Sequence, residues 1–172
     1  RYSGVDLIEY ALNRNLAKHF EDLLEFAEGE LYVYLASYLR KFDAWNVKTV
    51  IRGLYAGSGR QEVEDDLIRA GAFDDRFLDR LLGADSIQDV VDLLDGTIGG
   101  DPLAEAYRDY EDAGVLVPLE NAVDRAYYRM LLDGVPDEPD EATALYVQFL
   151  RAEIDFRNVR NALRLARSGA DI

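Results

Sequence analysis

The chain has 172 residues, 49% of them hydrophobic and 11% aromatic, with no cysteine and a single histidine, His19. That is ample material for a core, and it excludes disulfide scaffolds, Cys-ligated zinc, thiol nucleophiles and multi-His metal sites. Thirty-four acids against 19 bases leave a net charge of −15, which excludes the basic footprint of a nucleic-acid binder.

The start, Arg1-Tyr2-Ser3-Gly4, carries no initiator Met and leads straight into an amphipathic segment, as expected of a fragment without a signal peptide. Helical spacing then dominates. Leu7, Ile8, Ala11, Leu12, Leu16, Phe20, Leu23 and Leu24 recur at i, i+3, i+4, and Leu31, Tyr34, Leu35, Tyr38 and Leu39 continue the pattern. Asp43 is expected to open a helix to about Tyr55, with Val47, Val50, Ile51 and Leu54 on one face. Gly53, Gly57 and Gly59 stop it. Ser58 is placed to cap a short helix through Ile68. Asp74–Leu82 and Ser86–Leu94 follow, each led by a residue that can satisfy free N–H groups. Gly96 to Pro102 reads as a loop. Helices are then expected at Leu103–Ala113, Leu119–Leu132, Glu141–Glu153 and Asp155–Ser168, with an exposed turn over residues 134–139. No segment alternates long enough for a strand, so the fold class is all-α. No apolar run approaches the roughly 18–20 residues of a membrane span. The chain reads as soluble and cytoplasmic.

The acids have a particular flavour: 21 are Asp, while only Lys18, Lys41 and Lys48 among the bases are lysine. Such a surface suits a high-salt cytoplasm, where a Debye length of about 3 Å at molar salt screens self-repulsion; the alternative is an ordinary acidic protein.

Catalytic constellations are missing. His19 sits on a helix with no nucleophile-elbow serine to serve, and reads as a surface or capping residue. The glycine run ends Ser58-Gly59-Arg60 where a phosphate loop needs Gly-Lys-Ser/Thr, and it follows a helix rather than a strand. Asp92-Leu93-Leu94-Asp95-Gly96, with Asp101, fails two of the three ligand positions of a calcium loop. Adjacent acids such as Asp65-Asp66 and Asp74-Asp75 face different directions on a helix. The Tyr107/Tyr110 and Tyr127/Tyr128 pairs read as bundle packing. No catalytic residue, cofactor or metal is expected.

A shift of 112 residues superimposes Asp43, Asn46, Val47, Lys48, Ile51, Arg52 and Gly57 on Asp155, Asn158, Val159, Arg160, Leu163, Arg164 and Gly169, and Tyr34 on Tyr146. Amphipathicity alone preserves only apolar positions, so the polar matches point to an internal duplication. The expected units are 1–57, the C-terminal part of one helical repeat domain, and 58–172, a second one. Lys48 and Arg52 are four apart and share a helix face, as do Arg160 and Arg164. These four are the candidate partner contacts. Two readings stay open: internal ion pairs within each bundle, or a surface turned toward a partner.

Phe42-Asp43-Ala44-Trp45-Asn46-Val47-Lys48-Thr49-Val50-Ile51-Arg52-Gly53 with Ala70-Gly71-Ala72-Phe73, and Glu153-Ile154-Asp155-Phe156-Arg157-Asn158-Val159-Arg160-Asn161-Ala162-Leu163-Arg164, resemble the C subunit of archaeal and bacterial A-type (V-type) ATPases, the family of the eukaryotic vacuolar d subunit. The resemblance covers most of the chain. It implies about half of a funnel of three similar helical domains, and together with the Asp-rich, Lys-poor composition it points to a halophilic archaeal source. It further implies a non-catalytic central-stalk component on the cytoplasmic face of the membrane rotor ring. There it would receive the central shaft, made of the D and F subunits, and couple ion flow to ATP turnover. The alternative is an acidic helical scaffold for a soluble partner, although such scaffolds repeat at about 20–50 residues.

Overall fold

The computed structural model describes residues 4–97 and 100–168; inside the helices, the side chains at 5, 6, 9, 164, 165 and 168 lie outside that description. The described residues form α1 (Val5–Phe26), α2 (Gly29–Leu39), α3 (Lys41–Ala56), α4 (Arg60–Asp65), α5 (Asp75–Leu82), α6 (Ile87–Leu93), α7 (Gly100–Ala113), α8 (Val117–Asp133) and α9 (Glu141–Ser168), and among them there is no strand. The all-α expectation holds. The chain divides into two compact units, Arg1–Leu131 and Leu132–Ile172.

Local chemistry sets most of the boundaries. The Asp74 carboxylate accepts the Phe77 N–H, and Ser86 and Asp89 form a reciprocal capping box at the start of α6. Gly57 ends α3 in the left-handed conformation at φ 69°, its N–H donating to the Gly53 and Leu54 carbonyls. Several boundaries differ from the sequence reading. Gly59, not Ser58, precedes α4, and no side chain caps that helix. α7 begins at Gly100, which shortens the expected loop; Pro102 falls in the first turn, where a missing N–H is harmless. The two helices expected over 141–168 are one. Glu153-Ile154-Asp155 contains neither glycine nor proline, so nothing stops the helix there.

In the first unit, α3, α5, α6, α7 and α8 surround a core that includes Val47, Ile51, Leu78, Leu81, Val90, Leu103, Leu119 and Ala122. Ile51, Leu81, Val90, Leu103 and Leu119 are fully buried. Each such side chain stabilises the fold by about 1.5–3 kcal/mol over leaving it in water. A second cluster, Leu39, Phe42, Ile68 and Ala70, packs against Ala17, Phe20, Leu24 and Leu35. This cluster anchors the C-terminal half of α1. Leu7, Ile8 and Leu12 are on the expected apolar face yet stand exposed.

In the second unit, Asp140 caps α9: its carboxylate accepts the Thr143 N–H at 2.7 Å and its carbonyl accepts the Ala144 N–H. Thr143 and Leu150 are buried, while Leu145, Phe149, Phe156, Val159 and Leu163 are exposed.

Candidate partner-contact site

The first candidate pair lies on α3, and both members meet acids of α8. The Lys48 ammonium is 2.5 Å from Asp124, with 11% of the Lys48 side chain exposed. The Arg52 Nε donates to Glu120 at 2.5 Å, with 49% of the Arg52 side chain exposed. Four residues separate the bases on α3, and four separate the acids on α8 in the opposite order. Side chains four apart share a helix face, so the two helices run antiparallel and form a two-rung ionic ladder. The hydrogen bond to Glu120 holds the Arg52 guanidinium above its usual pKa, outweighing its partial burial, with further attraction from Glu120 and Asp124. Arg52 is half in solvent, so its pair contributes no more than the roughly 0.2–1 kcal/mol of exposed pairs. The Lys48 pair is more buried and correspondingly more costly to break on one side.

The second candidate pair lies on α9. Arg160 is exposed. The Arg164 side chain lies outside the described residues.

The polar matches at Asp43 and Asn46 have a definite task. Asp43 lies in the first turn of α3 but does not cap it; Arg40 occupies that position. The buried Asp43 carboxylate instead accepts the N–H groups of Ala72 at 2.9 Å and Phe73 at 3.0 Å. Asn46, 1% exposed, grips Ile68 on both sides: its amide donates to the Ile68 carbonyl and its carbonyl accepts the Ile68 N–H, each at 2.9 Å. The Trp45 indole donates to the Asp66 carbonyl. Three side chains of α3 thus clamp the loop between α4 and α5. Burial raises the Asp43 pKa, and the two backbone N–H groups and Arg40 only partly offset it. Gly71 is dictated by the same contact. A Cβ there would overlap Asp43 Oδ1 and stand 2.5 Å from Cγ. The sequence carries a signal for this clamp, since Asp43 and Asn46 both recur under the 112-residue shift. Asp124 and Glu120 give a weaker signal as an i, i+4 acid pair on an expected helix.

The remaining candidates lie elsewhere among the described residues. His19 is two-thirds exposed and 3.9 Å from Asp22 on its own helix. No group of three or more potential metal ligands occurs among the described residues. Tyr127 is buried and donates its hydroxyl to the Tyr38 carbonyl at 2.9 Å, while Tyr107 and Tyr110 lie 5.7 Å apart between ring centres. An apolar cavity of about 370 Å³ opens beside Asp43, Val47, Phe73, Tyr127 and Met130. Its polar groups are engaged: Asp43 on backbone N–H groups, Tyr127 on Tyr38, and Arg40 on the Met130 sulfur at 3.4 Å.

The described residues define an all-α protein in which charged and amide groups of α3 hold a loop and the neighbouring helix α8 in place. Comparison with known proteins narrows this further. The family model for the ATP synthase (C/AC39) subunit matches residues 1–172. The chain belongs to that family. It is 67% identical over 172 residues to the C subunit of the A-type ATP synthase of Haloferax volcanii, covering all of this chain and 49% of the relative. It is 66% identical over 171 residues to that of Halorubrum lacusprofundi, covering 99% of this chain and 49% of the relative. The corresponding Methanosarcina mazei protein is 33% identical over 169 residues, 98% of this chain and 46% of the relative. The chain therefore spans about half the length of these relatives. No solved structure gives a significant match. The first two relatives come from halophilic archaea, the setting that the Asp-rich, Lys-poor composition implies.

Proposed function

We propose that this protein is a non-catalytic central-stalk component of an A/V-type rotary ATP synthase. In this reading it is seated at the cytoplasmic face of the membrane rotor ring and receives the lower end of the shaft formed by the D and F subunits. It passes torque between ion flow and ATP turnover and makes no covalent chemistry itself. The observation that carries the reading is the match of the whole chain, at 67% identity, to the C subunit of an A-type ATP synthase. No helix among the described residues is long and apolar enough to cross a membrane, so the membrane association in this reading runs through the complex. A torque-bearing coupler needs helices that do not slide, and the α3 clamp and the α3–α8 ladder supply such fixed points.

The domain boundary belongs to the same proposal: residues 1–57 are the C-terminal part of one helical repeat domain and 58–172 form the second. Among the candidate contacts, Arg52 keeps half its side chain in solvent and Arg160 is exposed. Both can meet an acidic segment of the shaft, whereas Lys48 is committed to Asp124.

The test is to purify the ATP synthase from native membranes and to strip this protein from it. The D and F subunits and the ring proteolipids should co-purify with it. Stripping should leave ATP hydrolysis in the catalytic head while abolishing ion pumping. Unchanged pumping after stripping, or absence of the protein from the complex, would refute the coupling role.

A further inference from the structure

The cavity beside Asp43 is apolar on one side and polar on the other. Val47, Leu103, Val123 and Ala126, all buried, form its apolar wall together with Phe73. Arg40, Asp43, Thr97 and Tyr127 supply its polar groups. Three of these have strong partners. Asp43 accepts two backbone N–H groups, Thr97 donates to the Leu94 carbonyl at 2.6 Å, and Tyr127 donates to the Tyr38 carbonyl. Arg40 is different. Among the described residues its side chain donates to the Met130 sulfur alone, at 3.4 Å. A thioether is a weak acceptor, and a guanidinium carries five N–H donors in a rigid fork. Arg40 therefore leaves most of its donor capacity unused, half-buried at the edge of an apolar space of about 370 Å³.

We propose that this cavity binds a small amphiphile with one carboxylate and an apolar body. The carboxylate takes the Arg40 fork in a bidentate pair and displaces the Met130 sulfur, exchanging a weak acceptor for a charged one. The apolar body lies against Val47, Phe73, Leu103 and Val123. Small-molecule sites share this build: an apolar enclosure of roughly 300–1,000 Å³ with a few polar groups that fix orientation. Size limits the ligand. A cavity of about 150 Å³ holds benzene, so one of about 370 Å³ that is partly open holds roughly ten heavy atoms. Charge limits it too. Asp43 lies in the same lining and repels a second negative charge, which favours a carboxylate over a phosphate dianion. The acidic surface of the chain also repels anions, but molar salt screens that repulsion beyond about 3 Å and screens a half-buried pair much less. A bound ligand touches α3, α8 and the loop that Asp43 holds, and so tightens the same joint.

This site is independent of the coupling role, because binding is read on the protein itself. The test is calorimetric titration of octanoate into the full-length protein in molar KCl, against the neutral octanamide and the cationic octylamine. Octanoate should saturate one site, bind at least about tenfold more tightly than either control, and raise the thermal midpoint as a ligand of the folded state does. Arg40→Gln should bring octanoate down to the affinity of octanamide. Ala44→Leu, which fills the cavity from α3, should abolish binding of both. If circular dichroism shows that Ala44→Leu does not fold, Arg40→Gln decides alone. No saturable octanoate binding, a lowered midpoint, equal affinities for octanoate and octanamide, an unchanged affinity in Arg40→Gln, or binding retained by a folded Ala44→Leu overturns the proposal.

Discussion

Replacing Gly71 by alanine tests the clamp most directly. Gly71 does not have positive φ, so alanine meets no backbone penalty there and the entire effect is steric. The new Cβ would overlap Asp43 Oδ1 and press on the Asp43 backbone N at 3.0 Å. Relief requires the carboxylate to swing away and release the Ala72 and Phe73 N–H groups. Hydrogen bonds to a charged group contribute about 1.5–3 kcal/mol each, which bounds the loss at about 3–6 kcal/mol. Rehydration of the freed carboxylate returns part of this, so we expect about 3 kcal/mol. In a domain of this size that lowers the melting temperature by roughly 6–12 °C. The decisive assay is a double-mutant cycle read by denaturant unfolding in molar KCl. In an Asp43→Ala background the Cβ has lost its main obstacle and only the 3.0 Å contact remains. Gly71→Ala should then cost about 1 kcal/mol, giving a coupling energy of about 2 kcal/mol, within the range of residues in direct contact. Equal costs in the two backgrounds would refute the steric argument.

Asn46→Asp keeps the acceptor for the Ile68 N–H but sets an oxygen against the Ile68 carbonyl, so chemical denaturation should report a loss above the roughly 1–3 kcal/mol of one unsatisfied buried group. Arg52→Ala should cost no more than about 1 kcal/mol and Lys48→Ala clearly more, because the Lys48 pair is the more buried; equal losses count against the ladder as described. Asp43 has its folded-state pKa raised above 3.8, so the folded chain binds the proton more tightly than the unfolded chain. Its contribution to stability therefore falls as pH rises from about that value through the raised pKa. Wild type should lose stability relative to Asp43→Asn across this window in paired urea titrations, and the opposite slope contradicts the burial argument. With a net charge of −15, the melting temperature should climb between dilute buffer and molar KCl as self-repulsion is screened, and a flat curve removes the halophilic reading of the surface.

The helical class is legible because Val47, Val50, Ile51 and Leu54 repeat at 3.6-residue spacing and α3–α8 bury that face. The caps at Asp74 and Ser86 are legible too, since a short polar side chain before an apolar helix has one evident local partner. The same local rule misreads Asp43 as a helix opener. Its real partners lie 29 and 30 residues away, and a local rule does not see them. The error carries to Asp155, where the rule sets a helix start in the middle of α9. Lys48 and Arg52 are legible as a charged face, but whether that face meets solvent or α8 depends on how helices are stacked. Periodicity fixes which residues share a face and leaves open what the face meets.

The clamp and the ladder also differ in when they can form. The clamp joins residues 21 to 30 apart, while the ladder joins residues 68 and 76 apart. Closing the longer loops costs more chain entropy, though the dependence on length is only logarithmic. Synthesis separates them more sharply. At roughly 5–20 residues per second, Phe73 is added to the growing chain several seconds before Asp124. Helix growth and the closure of loops on the scale of tens of residues finish in microseconds or less. The α3 clamp therefore has time to assemble and reopen many times before α8 arrives to cover Ile51 and pair with Lys48. The first unit is thus built outward from a joint made early and locally, with α8 the last of its helices to join.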